Sequence, residues 1–199
     1  MSKVLAKKAQ KKDALYNAAF DLFTCKDDSD TSISDIAKKA GVGKGTFYLY
    51  FKDKYDIKNK LVARKAHSII QKAGEALAAA DIPGLEDKLI FLVNNVIDQL
   101  SDNPALLQFI SKNLSWGIFK NAMTEENGEI DENYTYVLDL LMENAKETHT
   151  DPDILIYLIV ELVGSSIYGS ILYSEPVSIE ELKPHLFNTI RLLTRAKEK

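Results

Sequence analysis

Apolar residues recur with the period of a helix along most of this chain, and clean two-residue alternation is nearly absent. In the stretch 13–23 the set Leu15, Ala18, Ala19, Leu22 and Phe23 falls at i, i+3, i+4, i+7 and i+8, one face of a helix. Ser32 offers an N-cap with Asp35 three residues on, which starts a short helix through Ala40, and Gly41 is placed to end it. Lys44 to Tyr50 predicts a second short helix closed by Phe51. Asp53 then caps a long helix from Lys54 to about Ala80, stopped by the DIPG stretch at 81–84. Further helices are expected over Leu85–Leu100, from Asn103 and Pro104 onward, and over Tyr134–Ala145. Asn103 and Asp151 each precede a proline suited to a first helical turn, and the polar run 124–132 reads as a loop. The expected fold class is all-α.

The stretch GVGKGTFYLYF at 41–51 carries the sharpest local signal. A phosphate-binding loop needs a glycine, four residues, then Gly-Lys-Ser/Thr, with a buried strand ahead of it. Here Lys44 is followed by Gly45, the residue five before Gly43 is Lys38, and an amphipathic helix comes before. The dinucleotide fingerprint also fails, because the three glycines are spaced by two throughout. A helix, a tight glycine turn and a second short helix make a helix-turn-helix instead, whose second helix enters a major groove. Phe47 and Phe51, four apart, face inward on that reading, leaving Lys44, Thr46, Tyr48 and Tyr50 nearer the outer surface. Gly43 and Gly45 allow close approach, lysine can bond a guanine edge or a phosphate, and the threonine methyl can meet a thymine methyl. Lys54 opens the next helix, where its charge and the backbone N–H groups favour a phosphate. Lys7, Lys8, Lys11 and Lys12 add a basic lead-in. From pattern alone, a helix-turn-helix that serves only as scaffold stays open beside the DNA reading.

The segment TSISDIAKKAGVGKGTFYLYFKDKYDI, residues 31–57, resembles the DNA-binding segment of TetR-family transcriptional regulators. The matching elements are Thr-Ser-hydrophobic, Asp-Ile-Ala, Ala-Gly-Val, Gly-Thr-Phe-Tyr, Tyr-Phe and a lysine shortly after, and the preceding amphipathic helix fits too. The resemblance implies that Lys44, Gly45, Thr46, Tyr48 and Tyr50 meet double-stranded DNA, that Lys54 holds a phosphate, and that Ser34 is a further contact. It covers about residues 9–65 specifically. Two departures stand out: Asp27 and Asp28 occupy the turn where the family carries glycine and an aromatic, and Gly43 stands where serine is common. The implied organisation is a helix-turn-helix domain over 1–52 and a helical ligand-binding and dimerisation domain over 53–199.

Charge divides in the same place. Residues 1–65 carry fifteen Lys/Arg against eight Asp/Glu, and residues 66–199 carry ten against twenty-one, within a formal net charge of -4. Such asymmetry fits an anionic partner for the basic part, and equally a solvated charged face. In the acidic part, residues 154–173 hold Glu161 as their only charge. That length could span a membrane, but the mid-segment glutamate, two glycines and several serines argue for a buried helix and no membrane partner. Ser165/Gly169 and Ser166/Ser170 are small pairs four apart that let another helix approach closely. After Ser178 and Glu181, Leu186, Phe187, Ile190 and Leu193 share one face, with Pro184 expected to kink or divide the helix. Ser165, Ser166, Gly169, Ser170, Phe187 and Ile190 are therefore candidate homodimer contacts, with an intramolecular core the alternative. A dimer predicts a near-palindromic operator. Phe109, Trp116, Phe119, Tyr134 and Tyr168 are candidate walls of a pocket for a small-molecule effector.

Nothing points to catalysis, a metal or a cofactor. His67, His149 and His185 are far apart, and no nucleophile motif is present. The single cysteine, Cys25, reads as a small residue at the core edge and fits a reducing compartment. The first residues carry charge without an apolar run, so the expected location is the cytoplasm. The sequence reading is thus a ligand-released repressor, with a helical interaction or adaptor protein as the alternative.

Overall fold

The computed structural model describes residues 3–25, 30–123 and 151–194; among them the regular elements are helices, and no strand occurs. They are α1 (Lys3–Cys25), α2 (Ile33–Lys39), α3 (Lys44–Tyr48), α4 (Lys54–Ala78), α5 (Leu85–Ser101), α6 (Pro104–Asn113), α7 (Trp116–Ala122), α8 (Pro152–Tyr173) and α9 (Ile179–Thr194). The chain divides into two compact units, Met1–Arg64 and Lys65–Lys199, and α4 runs through the division. The expected helix at 134–145, the loop at 124–132 and the Asp27–Asp28 turn lie outside the described residues.

In the first unit, local chemistry sets each helix end. The Ser32 hydroxyl accepts the Asp35 N–H, and the Asp35 carboxylate accepts the Ser32 N–H at 3.1 Å, a closed capping box at the start of α2. Gly41 follows at φ +67, the left-handed conformation that stops the helix without a Cβ penalty. The turn then runs into α3, packed on α2, which packs on α1. Beneath them Leu15, Ala19, Ile36, Phe47, Phe51 and Ile57 are all buried. Tyr16 meets Phe51 edge-on at 5.1 Å between centroids, and Phe47 lies 5.5 Å from Phe51. The first unit takes in the opening turns of α4, whose Ile57, Leu61 and Val62 are buried. Arg64 pairs with Asp13 at 2.7 Å while its guanidinium lies over the Tyr16 ring. Cys25 is exposed at the end of α1 and is not a core-edge residue.

In the second unit, α5 packs on α6, α8 and α9, and α8 packs on both α6 and α9. Asn103 and Asp151 cap α6 and α8 through their side chains, each followed by proline in the first turn. Ala73 and Leu77 of α4 form a cluster with Leu92 of α5. Helix α8 is long and apolar enough to cross a membrane by length and composition; here its Leu155, Ile156, Ile159, Val163 and Ile167 are buried in this unit. Helix α9 is continuous through Pro184 and is not divided there. Pro184 is the sixth residue of the helix, past its first turn, so the bond its N–H would make to the Glu180 carbonyl is missing there. Lys183 and Arg191 of α9 pair with Asp98 and Asp87 of α5 at 2.5 and 3.5 Å.

Candidate nucleic-acid interface and ligand cavity

Helix α3 is held from below by Phe47 and Phe51, so its other positions are turned outward. Its N-cap, Gly43, has extended backbone and no side-chain cap bond. The helix tightens at its end: the N–H groups of Leu49 and Tyr50 donate to the carbonyls of Thr46 and Phe47, and the Phe51 N–H also donates to Phe47. Lys44, Gly45, Tyr48 and Leu49 are exposed, and Thr46 is half-buried. A Cβ built on Gly43 or Gly45 would meet nothing within 4 Å, so both glycines bare the backbone on the outer face. Ser34 is exposed near the start of α2, and Lys54 is half-buried in the first turn of α4. Lys44, Gly45, Thr46 and Tyr48 thus share one outward helix, with Lys54 a short loop away.

Tyr50 is used differently. It is half-buried, and its hydroxyl donates to the Lys8 carbonyl of α1 at 3.2 Å. The same contact sets the exposed lysines Lys7, Lys8 and Lys11 of α1 near the end of α3. At the start of α4 the Asp53 carboxylate caps the Asp56 N–H at 2.8 Å. Asp56 in turn accepts from the Lys52 N–H at 2.9 Å and from the Lys60 ammonium at 3.1 Å. Burial alone raises a carboxyl's pKa; the Lys52 hydrogen bond and the Lys60 charge outweigh it and hold Asp56 below the usual carboxylate range.

The second unit contains a cavity of about 790 Å³, within the range of small-molecule sites. Its depth is apolar, from Ile69 and Ala73 of α4, Leu92 of α5, Ile110 of α6, and Ile159 and Val163 of α8. Its lining also includes the exposed polar residues Gln108, Ser111, Lys112, Ser115, Glu161 and Ser165. Gln108, Ser111 and Lys112 went unnoticed in the sequence, although 108, 111 and 112 recur at helical spacing beside the apolar positions 107, 110 and 114. Trp116 and Phe119 line the cavity and stack at 5.5 Å; Tyr168 also lines it. Burial, then the Tyr173 hydroxyl beside it, raises the Tyr168 phenol above its usual range, so it stays neutral. Phe109 is buried but is not part of this wall, and Tyr134 lies outside the described residues. Nδ1 of His67 on α4 donates to the Ala122 carbonyl at 2.8 Å, pinning the end of α7 to α4.

The candidate dimer residues fall in two groups. Ser165 is exposed at the cavity, and Phe187 and Ser166 are half-buried, with the Ser166 hydroxyl donating back to the Leu162 carbonyl. Ser170 and Ile190 are buried within their own unit. Gly169 faces the chain's own turn: a Cβ there would lie 2.7 Å from the Glu175 carbonyl oxygen. Among the described residues no group of three His, Cys, Asp or Glu side chains gathers where a metal ion could sit.

Comparison with known proteins bears on the first unit most directly. An uncharacterised HTH-type transcriptional regulator of Mycobacterium tuberculosis is 28% identical over 94 residues, 47% of this chain and 46% of that protein. An HTH-type transcriptional regulator of Staphylococcus aureus is 29% identical over 113 residues, 53% of this chain and 59% of the relative. The chain thus spans about half the length of the curated relatives it matches. The fold is shared with the transcriptional regulator FadR from Bacillus subtilis, solved in complex with stearoyl-CoA, at TM-score 0.67 and 19% identity over 93% of this chain and 98% of that one. Residues 15–60, the segment that builds the helix-turn-helix, match the model of the tetR family of bacterial regulatory proteins.

Proposed function

We propose that this chain is a sequence-specific DNA-binding regulator that acts as a homodimer on a near-palindromic operator, and that it is a repressor released by a small ligand. The observation that carries the DNA reading is the outward face of α3, where Lys44, Gly45 and Tyr48 are exposed over a buried Phe47–Phe51 anchor. A scaffold has no need of a lysine, bare glycine backbone and a tyrosine there; a groove-reading helix uses all three. Lys54 and the α1 lysines supply phosphate contacts. Support for a dimer comes from α8, where Ile154, Tyr157 and Leu158 are exposed on an otherwise apolar helix, and from exposed Leu192 on α9.

The effector reading rests on the cavity. An apolar depth with Gln108, Ser111 and Lys112 among its exposed polar lining suits a molecule with an apolar tail and a polar head. The FadR relative, solved with stearoyl-CoA, makes long-chain acyl-CoA the first probe. Helix α4 supplies Ala66, Ile69, Ile70 and Ala73 to the cavity and begins at Lys54, so a ligand that moves α4 acts on the DNA-facing end of the same helix.

The test is a salt-series titration against DNA from upstream of the chain's own gene, with a scrambled duplex as control and Tyr48→Ala beside wild type. Tight binding that prefers the upstream duplex, weakens steeply with salt and collapses in the variant is expected. Stearoyl-CoA is expected to release the complex. Weak binding, equal on both duplexes and indifferent to Tyr48→Ala, favours the adaptor reading.

A further inference from the structure

We infer that Leu49 is a specificity-determining residue that reads the methyl group of a thymine in the major groove; the inference rests on the DNA-binding reading above. In the described part of the first unit, the large apolar side chains left exposed are Tyr48 at 52%, Leu49 at 77% and Tyr55 at 63%. All three fall within eight residues, on the recognition helix and the first turn of α4. A lone exposed leucine on a surface needs no explanation. One standing at the crest of a helix that enters a groove does.

The crest follows from the helix itself. Leu49 keeps helical backbone at φ −73, ψ −19. Whether at 3.6 residues per turn or at the 3.0 of the tightened end, it lies on the far side of the helix from Phe47, two positions earlier. Phe47 is fully buried and Leu49 is the most exposed large apolar residue among the described residues of the unit, in keeping with that geometry. Gly45, four positions before Leu49, lies on the same ridge and has open space where a Cβ would be. The outermost line of α3 is thus bare backbone followed by an isobutyl group. Leu49 can neither donate nor accept a hydrogen bond. Among base edges in the major groove the distinctive apolar feature is the C5 methyl of thymine, so an apolar crest discriminates there by covering that methyl. Thr46 and Tyr48, on either side of the crest, carry the hydroxyls for neighbouring contacts.

The test begins with duplexes selected from a random library by the full-length protein. Each thymine of the selected site is then replaced in turn by deoxyuridine, which removes only the methyl. Wild type and Leu49→Ala are titrated against each duplex. One deoxyuridine position per half-site is expected to weaken wild type about fourfold, the loss for one methyl-sized contact. Leu49→Ala is expected to show a similar loss on the thymine site, to be indifferent to deoxyuridine at that position, and to melt as wild type does. A wild type that selects its site but ignores every deoxyuridine overturns this inference alone, as does a deoxyuridine loss that persists unchanged in Leu49→Ala. A wild type that selects no sequence over a scrambled duplex overturns the regulator reading and this inference with it.

Discussion

The Tyr50 hydroxyl donates a hydrogen bond to the Lys8 carbonyl at 3.2 Å, joining the end of the recognition turn to a helix 42 residues earlier in the chain. A helical carbonyl has a second lone pair, so Lys8 can accept this bond without giving up its place in α1. The result is that the lysine-bearing turn of α1 and the outward face of α3 are held in one frame. On the proposed DNA-binding reading, phosphate contact by the first and groove contact by the second then form one surface.

Tyr50→Phe isolates that bond. The ring stays in place beside Phe51, 6.3 Å between centroids, and only the hydroxyl is lost. A partly exposed neutral hydrogen bond contributes about 1 kcal/mol or less, so the melting temperature is expected to change little. Affinity for the selected site is expected to fall while the ratio of specific to scrambled binding holds, because the frame loosens but no base contact goes. A fall in that ratio, as large as for Tyr48→Ala, would assign Tyr50 to direct readout instead.

The features legible in the sequence are those whose cause is local. Ser32 and Asp35 sit three apart and close a capping box; Gly41 ends α2; Phe47 and Phe51, four apart, are both buried. Each follows from spacing and backbone sterics alone. The Tyr50–Lys8 bond was not legible, because its partner is 42 residues away and is a backbone atom of any residue type. Of the cavity wall, built from α4 to α8, Trp116, Phe119 and Tyr168 were legible as aromatics but the rest was not: periodicity separates the apolar side of α6 from its polar side, but not Ile110, which lines the cavity, from buried Phe109, which does not. Gly169 was legible as a small residue that permits close approach; that the approaching group is the carbonyl of Glu175 was not.

Gly43→Ser is expected to stabilise the protein. The Gly43 backbone is extended, at φ −75, ψ 152, and nothing lies within 4 Å of a Cβ built there, so serine fits without strain. Its hydroxyl can accept an N–H of the first turn of α3, a bond the glycine does not make. The reduced freedom of the unfolded chain adds to this, for a gain of about 0.5–1 kcal/mol. Thermal melts should show a rise of about 1–4 °C. A stabilised variant with weakened DNA binding would show that bare backbone at position 43 serves the approach to the groove.

Asp56 gives the start of α4 a pH dependence with a definite sign. Burial opposes the charge, but the Lys52 N–H and Lys60 ammonium hold the folded-state pKa below the ordinary carboxylate range. A group depressed on folding stabilises the protein above its unfolded pKa and loses that contribution as pH falls through the folded value. Asp56→Asn is therefore expected to melt below wild type at pH 7, and the gap is expected to close as the pH is lowered through the carboxylate range. A gap that stays constant between pH 7 and pH 3 would remove the charge from the explanation and leave only shape.

The turn after α8 makes two opposite predictions at neighbouring positions. Ser174 caps α8 in the left-handed conformation at φ 55, and the Glu175 N–H donates to the Gly169 carbonyl at 3.2 Å. The left-handed region costs a residue with a Cβ roughly 1–2 kcal/mol, so Ser174→Gly is expected to stabilise by about 1 kcal/mol. Gly169→Ala is expected to do the reverse: its Cβ would stand 2.7 Å from the Glu175 backbone oxygen, where no flexible side chain can yield. Overpacking of this kind costs about 1–3 kcal/mol. Urea melts at two protein concentrations distinguish this from a role between copies. A midpoint lowered equally at both concentrations fits the contact within the chain. If Gly169 is small to admit a second copy, Gly169→Ala should instead weaken dimerisation, with a loss that grows on dilution and little change in the stability of the isolated protomer.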